Sequence, residues 1–541
     1  MKIINNKLIK PKDGILGLKE NWKEDMLSGF LVFLIALPLC LGIAMASGFP
    51  PIGGIITAII GGLVVSPIMG SRISIKGPAA GLIAIAMAAV MELGQGDALA
   101  GYKYTLAIVV IAGIVQILFG LLKLGRFVDF FPTAAVHGML AAIGIIIIAK
   151  QIPVMLGVTP DNGNPIALLL EIPKMLSNLN PEIALIGGIS LIILFGLPLV
   201  KYKWAKVIPT PMLVLLIAMP LGTFFDLNHQ HEYLFLDHHY FVGPKFLVTL
   251  PSNILDGITF PDFGEIVSMT SLKYVVMFAL VGSLESLLTV KAVDGLDPYR
   301  RKSNSNRDLL AVGAGNTLSG LIGGLPMIAE VVRSSANVGS GAKTRWSNFF
   351  HGLFLLVFVA FFPDLIHRIP LTALAAMLIF TGFRLASPKL FKETLNVGKE
   401  QLIVFLTTIV VTLAEDLLVG IAAGIIMEIA VHLYRGVPFK SLFKSDFHKS
   451  ETESEIRFSA KNAAIFTNYL GFKRQIDALP LGKNVVVDFQ LAKLIDHTFM
   501  EQITHFKHDY EEAGGTVALI GMDHLTPVAK HALSARKVIN Y

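Results

Sequence analysis

The sequence predicts a polytopic α-helical membrane protein of about fourteen spans, followed by a small α/β domain. Three observations carry this. Of 541 residues, 54% are hydrophobic and only 16% charged, and the mean hydropathy is +0.66. Runs such as Phe30–Ala46, Thr105–Leu122, Ala134–Ala149 and Leu402–Leu413 are apolar and nearly free of charge. They reach or approach the ~20 residues that cross ~30 Å of hydrocarbon. After Arg435 the composition turns to that of a soluble domain. A soluble enzyme is not indicated by such a chain.

Residues 1–27 read as a cytosolic N-terminal segment, with Trp22 near the interface and no cleavable signal peptide evident. Residues 28–436 read as the membrane domain. Its spans fall near 28–47, 52–69, 78–91, 103–122, 133–150, 182–199, 208–225, 271–291, 308–323, 329–339, 344–362, 369–386, 400–415 and 417–435. Lys and Arg alternate with them: Arg72 and Lys76, Lys123 and Arg126, Lys201, Lys203 and Lys206, Lys291 through Arg307, Lys343 and Arg345, and Arg384 through Lys399 share one side. The positive-inside rule makes that side cytoplasmic, and an even span count puts both termini there. The net charge of +6 fits this loop bias better than nucleic-acid binding. The one cysteine, Cys40, sits in the first span and excludes an internal disulfide or a cysteine metal site.

Two of these segments, the third and the tenth, are too short to span and occupy corresponding places in two sets of seven. Each opens on a Gly/Pro break: Ile75-Lys76-Gly77-Pro78-Ala79-Ala80-Gly81 and Gly323-Gly324-Leu325-Pro326-Met327-Ile328-Ala329-Glu330. A broken helix in lipid frees backbone N–H groups that must find partners. Helix N-termini carry partial positive charge, so an anion between two of them is the expected ligand. Paired interruptions of this kind mark substrate sites in transporters.

The loop at about 226–270 holds His229, His231, His238 and His239 beside Asp226, Glu232 and Asp237. A zinc or copper site is conceivable there, and a solvated polar loop is the expectation. Residues 437–541 alternate strands and helices: Ile456–Thr467, Asn484–Phe489 and Val517–Ile520 read as strands, Tyr469–Leu479 and Thr498–Ala513 as helices. Gly514-Gly515 ends the last helix. This is the pattern of a small α/β domain.

Pro38–Ser47 (PLCLGIAMAS), Ile73–Ala80 (ISIKGPAA) and Arg333–Arg345 (RSSANVGSGAKTR) resemble the SulP family of sulfate-permease-like anion transporters, and the C-terminal part looks like the STAS domain those proteins carry. The resemblance implies a 7+7 inverted repeat, with core spans one to four and eight to eleven moving against a gate domain. It implies a homodimer in the bacterial cytoplasmic membrane, and a substrate held between the tips of spans three and ten.

Residues for that site follow. Substrate contact is expected from Pro78, Ala79, Ala80, Val331, Val332, Arg333 and Ser334, chiefly through backbone N–H groups and the Arg333 charge. Arg333 matches an arginine of many animal family members, which the cyanobacterial bicarbonate branch lacks; its bland alternative is a salt bridge to Glu285 or Glu330. Glu285 is a carboxylate in mid-span, four residues before Thr289 and on the same helical face. That pair resembles the Na⁺-serving pair of the bicarbonate branch, and Na⁺ or H⁺ is the expected coupling ion, with no other cofactor. Structural use of Glu285, tied to neighbouring N–H groups, is the alternative. Glu330 is expected to cap the tenth segment or assist coupling. Leu39 and Ile43 stand where many members have Gln and an aromatic, so both are accessory positions and the pocket is expected to lean on backbone dipoles. In Asp488–Phe499 (DFQLAKLIDHTF), His497 stands where STAS-type switches carry a phosphorylated Ser, so a phosphoserine switch is not expected.

The function expected is secondary active transport of bicarbonate or sulfate, coupled to Na⁺ or H⁺ through Glu285. No Walker sequence or nucleophile–base constellation points to ATP-driven transport or catalysis. Alternatives are an uncoupled exchanger or channel, a dicarboxylate or nucleobase carrier on the same fold, or a membrane-tethered signalling module.

Overall fold

The structure, a computed structural model, describes residues 10–125, 130–161, 163–202, 208–251, 253–443, 447–452, 455–480, 482–512 and 514–538. Arg126, Lys203 and Lys206, counted among the loop charges, lie outside them. The chain divides into two compact units, one of residues 1–125 and 143–384, the other of residues 126–142 and 385–541. The last membrane helices therefore group with the C-terminal sheet, a different cut from the one after residue 436.

Each of the fourteen expected spans is helical. In the first unit these are α1 (Gly14–Ala46), α2 (Pro51–Ile68), α3 (Ala80–Gly94), α4 (Ala98–Leu121) and α5 (Thr133–Leu156), which begins in the other unit. After a short α6 (Pro165–Ser177) come α7 (Pro181–Leu199), α8 (Thr210–Phe224), α9 (Met269–Leu296), α10 (Ser305–Leu321), α11 (Val331–Gly339), α12 (Trp346–Phe361) and α13 (Leu371–Leu385). Among the described residues, eight helical stretches are long and apolar enough to cross a membrane, and α3, α8 and α12 are shorter apolar ones.

Local chemistry sets the boundaries. Asp97, Ser268 and Asn304 accept backbone N–H groups of the first turns of α4, α9 and α10, satisfying donors that a helix leaves orphaned. α1 is kinked at Asn21 (φ −128°) and carries Pro38 inside, where proline removes an intrahelical bond. α2 contains a π-turn at Gly61–Val65. A Cβ built on Gly62 would lie 2.5 Å from the Gly352 Cα, so this glycine lets α2 and α12 touch backbone to backbone. One apolar core joins Phe33, Leu37, Cys40, Ile55, Leu355 and Val359; another joins Leu39, Ile183, Val214, Ala373 and Met377.

The histidine-rich loop holds a hairpin of β2 (His231–Phe235) and β3 (His238–Val242), preceded in the chain by β1 (Lys76–Pro78) and followed by β4 (Met327–Ala329). His229 pairs with Asp226 at 2.8 Å and His239 with Glu232 at 2.6 Å. Among the described residues these histidines do not converge into a metal-sized group.

The second unit contains α14 (Pro388–Val397), α15 (Lys399–Ala414) and α16 (Leu417–Tyr434), then β5 (Phe447–Glu451), β6 (Glu455–Ala464), α17 (Phe466–Ile476), β7 (Asn484–Ile495), α18 (His497–Glu512), β8 (Thr516–Ile520), β9 (Thr526–Pro527) and β10 (Arg536–Lys537). The sheet runs β5-β6-β7-β10-β9, with β8 also on β7. β6, β7 and β8 are parallel. Helices cover parallel strands, so Phe458, Phe472, Phe489 and Phe499 form a fully buried aromatic centre. β7 is twice the expected length, because it serves β8 with its first half and β10 with its last residues. His497 contacts the Leu533 carbonyl through Nδ1 at 2.7 Å, and Thr498 is buried, its hydroxyl accepting the Thr133 N–H at 3.2 Å.

The helices α6 and α14 were not anticipated. They follow the fifth and twelfth spans, corresponding places in the two sets of seven.

Candidate functional site

The two Gly/Pro breaks meet. β1 and β4 pair antiparallel, with Lys76 opposite Ala329, Gly77 opposite Ile328 and Pro78 opposite Met327. The Ala79 N–H donates to the Pro326 carbonyl at 3.0 Å, and the Glu330 N–H to the Ile75 carbonyl at 2.9 Å. One ribbon thus leads into the N-terminus of α3 at one end and of α11 at the other.

A two-stranded ribbon leaves both outer edges unpaired, which is costly at membrane depth. Side chains from the surrounding helices close them. Asn316 both accepts from the Met327 N–H (2.5 Å) and donates to its carbonyl (3.1 Å). Ser286 Oγ accepts from Ala329 N–H, and Ser334 Oγ accepts from Ile75 N–H. Thr57 and Ser319 hydroxyls donate to the Leu325 carbonyl. Lys76 is not a loop charge, as expected from sequence, but a fully buried strand residue paired with fully buried Asp308 at 2.6 Å. Asp308 is 232 positions away, so no sequence spacing marks the pair.

The α3 tip is occupied by carboxylates. Glu330 does not cap its own helix; it crosses the ribbon and accepts the Ala80 N–H at 3.1 Å. The Glu285 carboxylate lies over Gly81, whose N–H donates toward it. A Cβ on Gly81 would sit 2.0 Å from Glu285 Oε1, so only glycine admits the carboxylate there. The other oxygen, Oε2, is buried without a partner. Thr289 is buried one turn further along α9. The Ala79 and Ala80 amides, expected to face an anion, are therefore engaged within the protein, and Pro78 has no N–H to offer.

The α11 tip differs. It has no side-chain cap, and its first-turn N–H groups have no intrahelical acceptors. Val331 is 45% exposed, Val332 is half-buried, and Arg333 behind them is 1% exposed. The Arg333 side chain runs back beside Gly77, with Cys40, Glu330 and His351 as its electrostatic neighbours. All three guanidinium nitrogens are buried with no oxygen acceptor, leaving the Cys40 thiol as their side-chain contact, and both ring nitrogens of His351 are buried without a partner. The alternative of a salt bridge from Arg333 to Glu285 or Glu330 does not form. His351 lies in an apolar run and carried no signal that would have singled it out. Ser334, expected to face the substrate, spends its hydroxyl on Ile75. Leu39 and Ile43 are buried on α1 at 8% and 2% exposure, Leu39 within the core of α7, α8 and α13.

The arrangement places a carboxylate-bearing tip and an uncapped tip with a buried cation behind it at the two ends of one ribbon. The first suits a cation or a proton, the second an anion.

Residues 22–408 match the sulfate permease family. The bicarbonate transporter BicA of Picosynechococcus sp. is 29% identical over 409 residues, covering 75% of this chain and 69% of the relative. The sodium-independent sulfate anion transporter of Bos taurus is 24% identical over 544 residues, covering 95% and 85%. The solved transmembrane domain of a cyanobacterium bicarbonate transporter BicA superposes with a TM-score of 0.63 at 27% identity, over 75% of this chain and 97% of that one.

Proposed function

Because the chain belongs to the sulfate permease family, we propose that it carries a small inorganic oxyanion, bicarbonate or sulfate, across the membrane, with Na⁺ or H⁺ movement coupled to it through Glu285. One observation carries the reading: the ribbon that brings a carboxylate-loaded helix tip and an uncapped one together. The names of the relatives support the substrate class.

The amides of Val331 and Val332 and the field of Arg333 bind the anion. Arg333 is tied to no carboxylate by an ion pair, so an arriving anion meets a cation only partly balanced by Glu330 in a low-dielectric setting. Glu285, Glu330 and the Thr289 hydroxyl serve the cation. Two carboxylates at one tip repel each other and the anion, and a Na⁺ ion or a proton relieves both. Cation entry thereby favours anion entry, which is the thermodynamic content of symport. Assembly as a homodimer, and both termini cytoplasmic in the bacterial inner membrane, complete the proposal.

The test is uptake of labelled bicarbonate, sulfate and fumarate into proteoliposomes under imposed Na⁺ or pH gradients. Accumulation of one inorganic anion under one gradient is expected. Accumulation that ignores both gradients would make the protein an uncoupled exchanger or channel, and preference for fumarate a dicarboxylate carrier.

A further inference from the structure

We propose that Glu428, His432 and Asp496 bind one divalent first-row transition-metal ion, clamping the last membrane helix to the C-terminal sheet. Glu428 and His432 lie one turn apart on α16, and Asp496 sits where β7 passes into α18. All three side chains are at most 2% exposed. One ligand atom from each lies within 4.8 Å of the others.

The two distances from His432 match donors around an ion more closely than short hydrogen bonds. His432 Nε2 is 3.4 Å from Glu428 Oε1 and 3.6 Å from Asp496 Oδ2. Charge-assisted hydrogen bonds run at about 2.7–2.9 Å. Donors placed about 2.0–2.2 Å from a tetrahedral ion are separated by roughly 3.3–3.6 Å. The ligands are also held from behind, as outer-shell partners hold metal ligands. Gln401 Nε2 donates to Glu428 Oε1 at 2.9 Å. The N–H groups of Phe499 and Phe466 each donate to one oxygen of Asp496 at 2.6 Å.

Charge and unmet valence point the same way. Two buried carboxylates outnumber the one imidazole, so even a protonated His432 leaves negative charge in the cluster, which is costly without a further cation. The adjacent Arg435 pairs with Glu400 and also feels Asp496, so its one charge is shared between two carboxylates. Glu428 Oε2 and Gln401 Oε1 are buried with no partner. A donor set of one nitrogen and two oxygens suits Zn²⁺, Fe²⁺ or Mn²⁺ rather than Cu⁺.

Zn²⁺ and Co²⁺ are the probes, on the purified full chain in detergent, stripped of metal and back-loaded. His229, His231, His238 and His239 are first replaced by Gln to remove loop binding. This protein is expected to retain about one more Zn²⁺ per chain than its His432→Gln and Glu428→Gln derivatives. Zn²⁺ is expected to raise its Tm, and Co²⁺ to give the strong visible absorption of a low-coordinate site, lost in both derivatives. Equal metal content in all three proteins overturns the proposal and leaves a shared proton to neutralise the cluster. If the derivatives aggregate, the parent decides alone: no Tm shift and only the weak spectrum of six-coordinate Co²⁺ overturn it.

Discussion

The two half-helix tips occupy equivalent places in the two sets of seven spans, yet they are finished in opposite ways. The α3 tip has its amides consumed, by Pro326, Glu330 and Glu285. The α11 tip is left without a side-chain cap, and a buried Arg333 in no ion pair lies behind it. Repetition of backbone geometry has therefore not produced two copies of one binding site. A helix dipole offers the same field at both places. Side chains then reverse its sign at one tip and reinforce it at the other.

The largest effect should come from the α3 tip. Glu285→Gln removes the charge but keeps the shape, and gradient-driven accumulation should fall by more than about tenfold while anion exchange at zero gradient stays within about twofold. Unchanged accumulation would assign Glu285 to structure alone. Gly81→Ala should reproduce the accumulation defect without touching the carboxylate, because its Cβ falls 2.0 Å from Glu285 Oε1. Normal uptake in that variant would mean the carboxylate need not rest there.

Arg333→Ala tests the opposite tip. Anion affinity should weaken by about 10- to 100-fold, roughly 1.4 kcal/mol per decade. Thermal stability should change little, since the guanidinium holds no carboxylate in an ion pair and the relief of its burial is offset by losing the balance it lent Glu330. Intact affinity would leave Arg333 outside the anion's reach. Glu330→Gln retains an acceptor for Ala80 and should tighten anion binding a few-fold by removing repulsion; weaker binding would place the carboxylate's charge on the anion's side of the balance. Ser334→Ala should cost only about 1 kcal/mol of stability through the Ile75 N–H, and a large loss of anion affinity would return its hydroxyl to the pocket.

Much of the architecture was readable because its cause is local. Apolar runs of span length fold as helices in lipid whatever their neighbours do, and the short, Gly/Pro-opened segments at 78–91 and 329–339 announced themselves by breaking that rule. The amphipathic α14, with few apolar residues, shows no span-length run and passed as a loop. β1 and β4 are each three residues long, below the length at which alternation can be seen. That the two breaks meet was legible, but the wiring around them was not. Glu330 reaches Ala80 across 250 positions, and Lys76 finds Asp308 across 232. Whether a carboxylate caps its own helix or another's depends on a fold that places both.

The ribbon also has a mechanical consequence. Its cross-strand bonds, with the Asn316, Ser286 and Ser334 clasps, tie the roots of both tips into one rigid carriage. On the proposed reading, an anion and a cation seated on it face the same side of the bilayer at every moment. Fixed stoichiometry would then follow from shared travel, with no signal relayed between the seats.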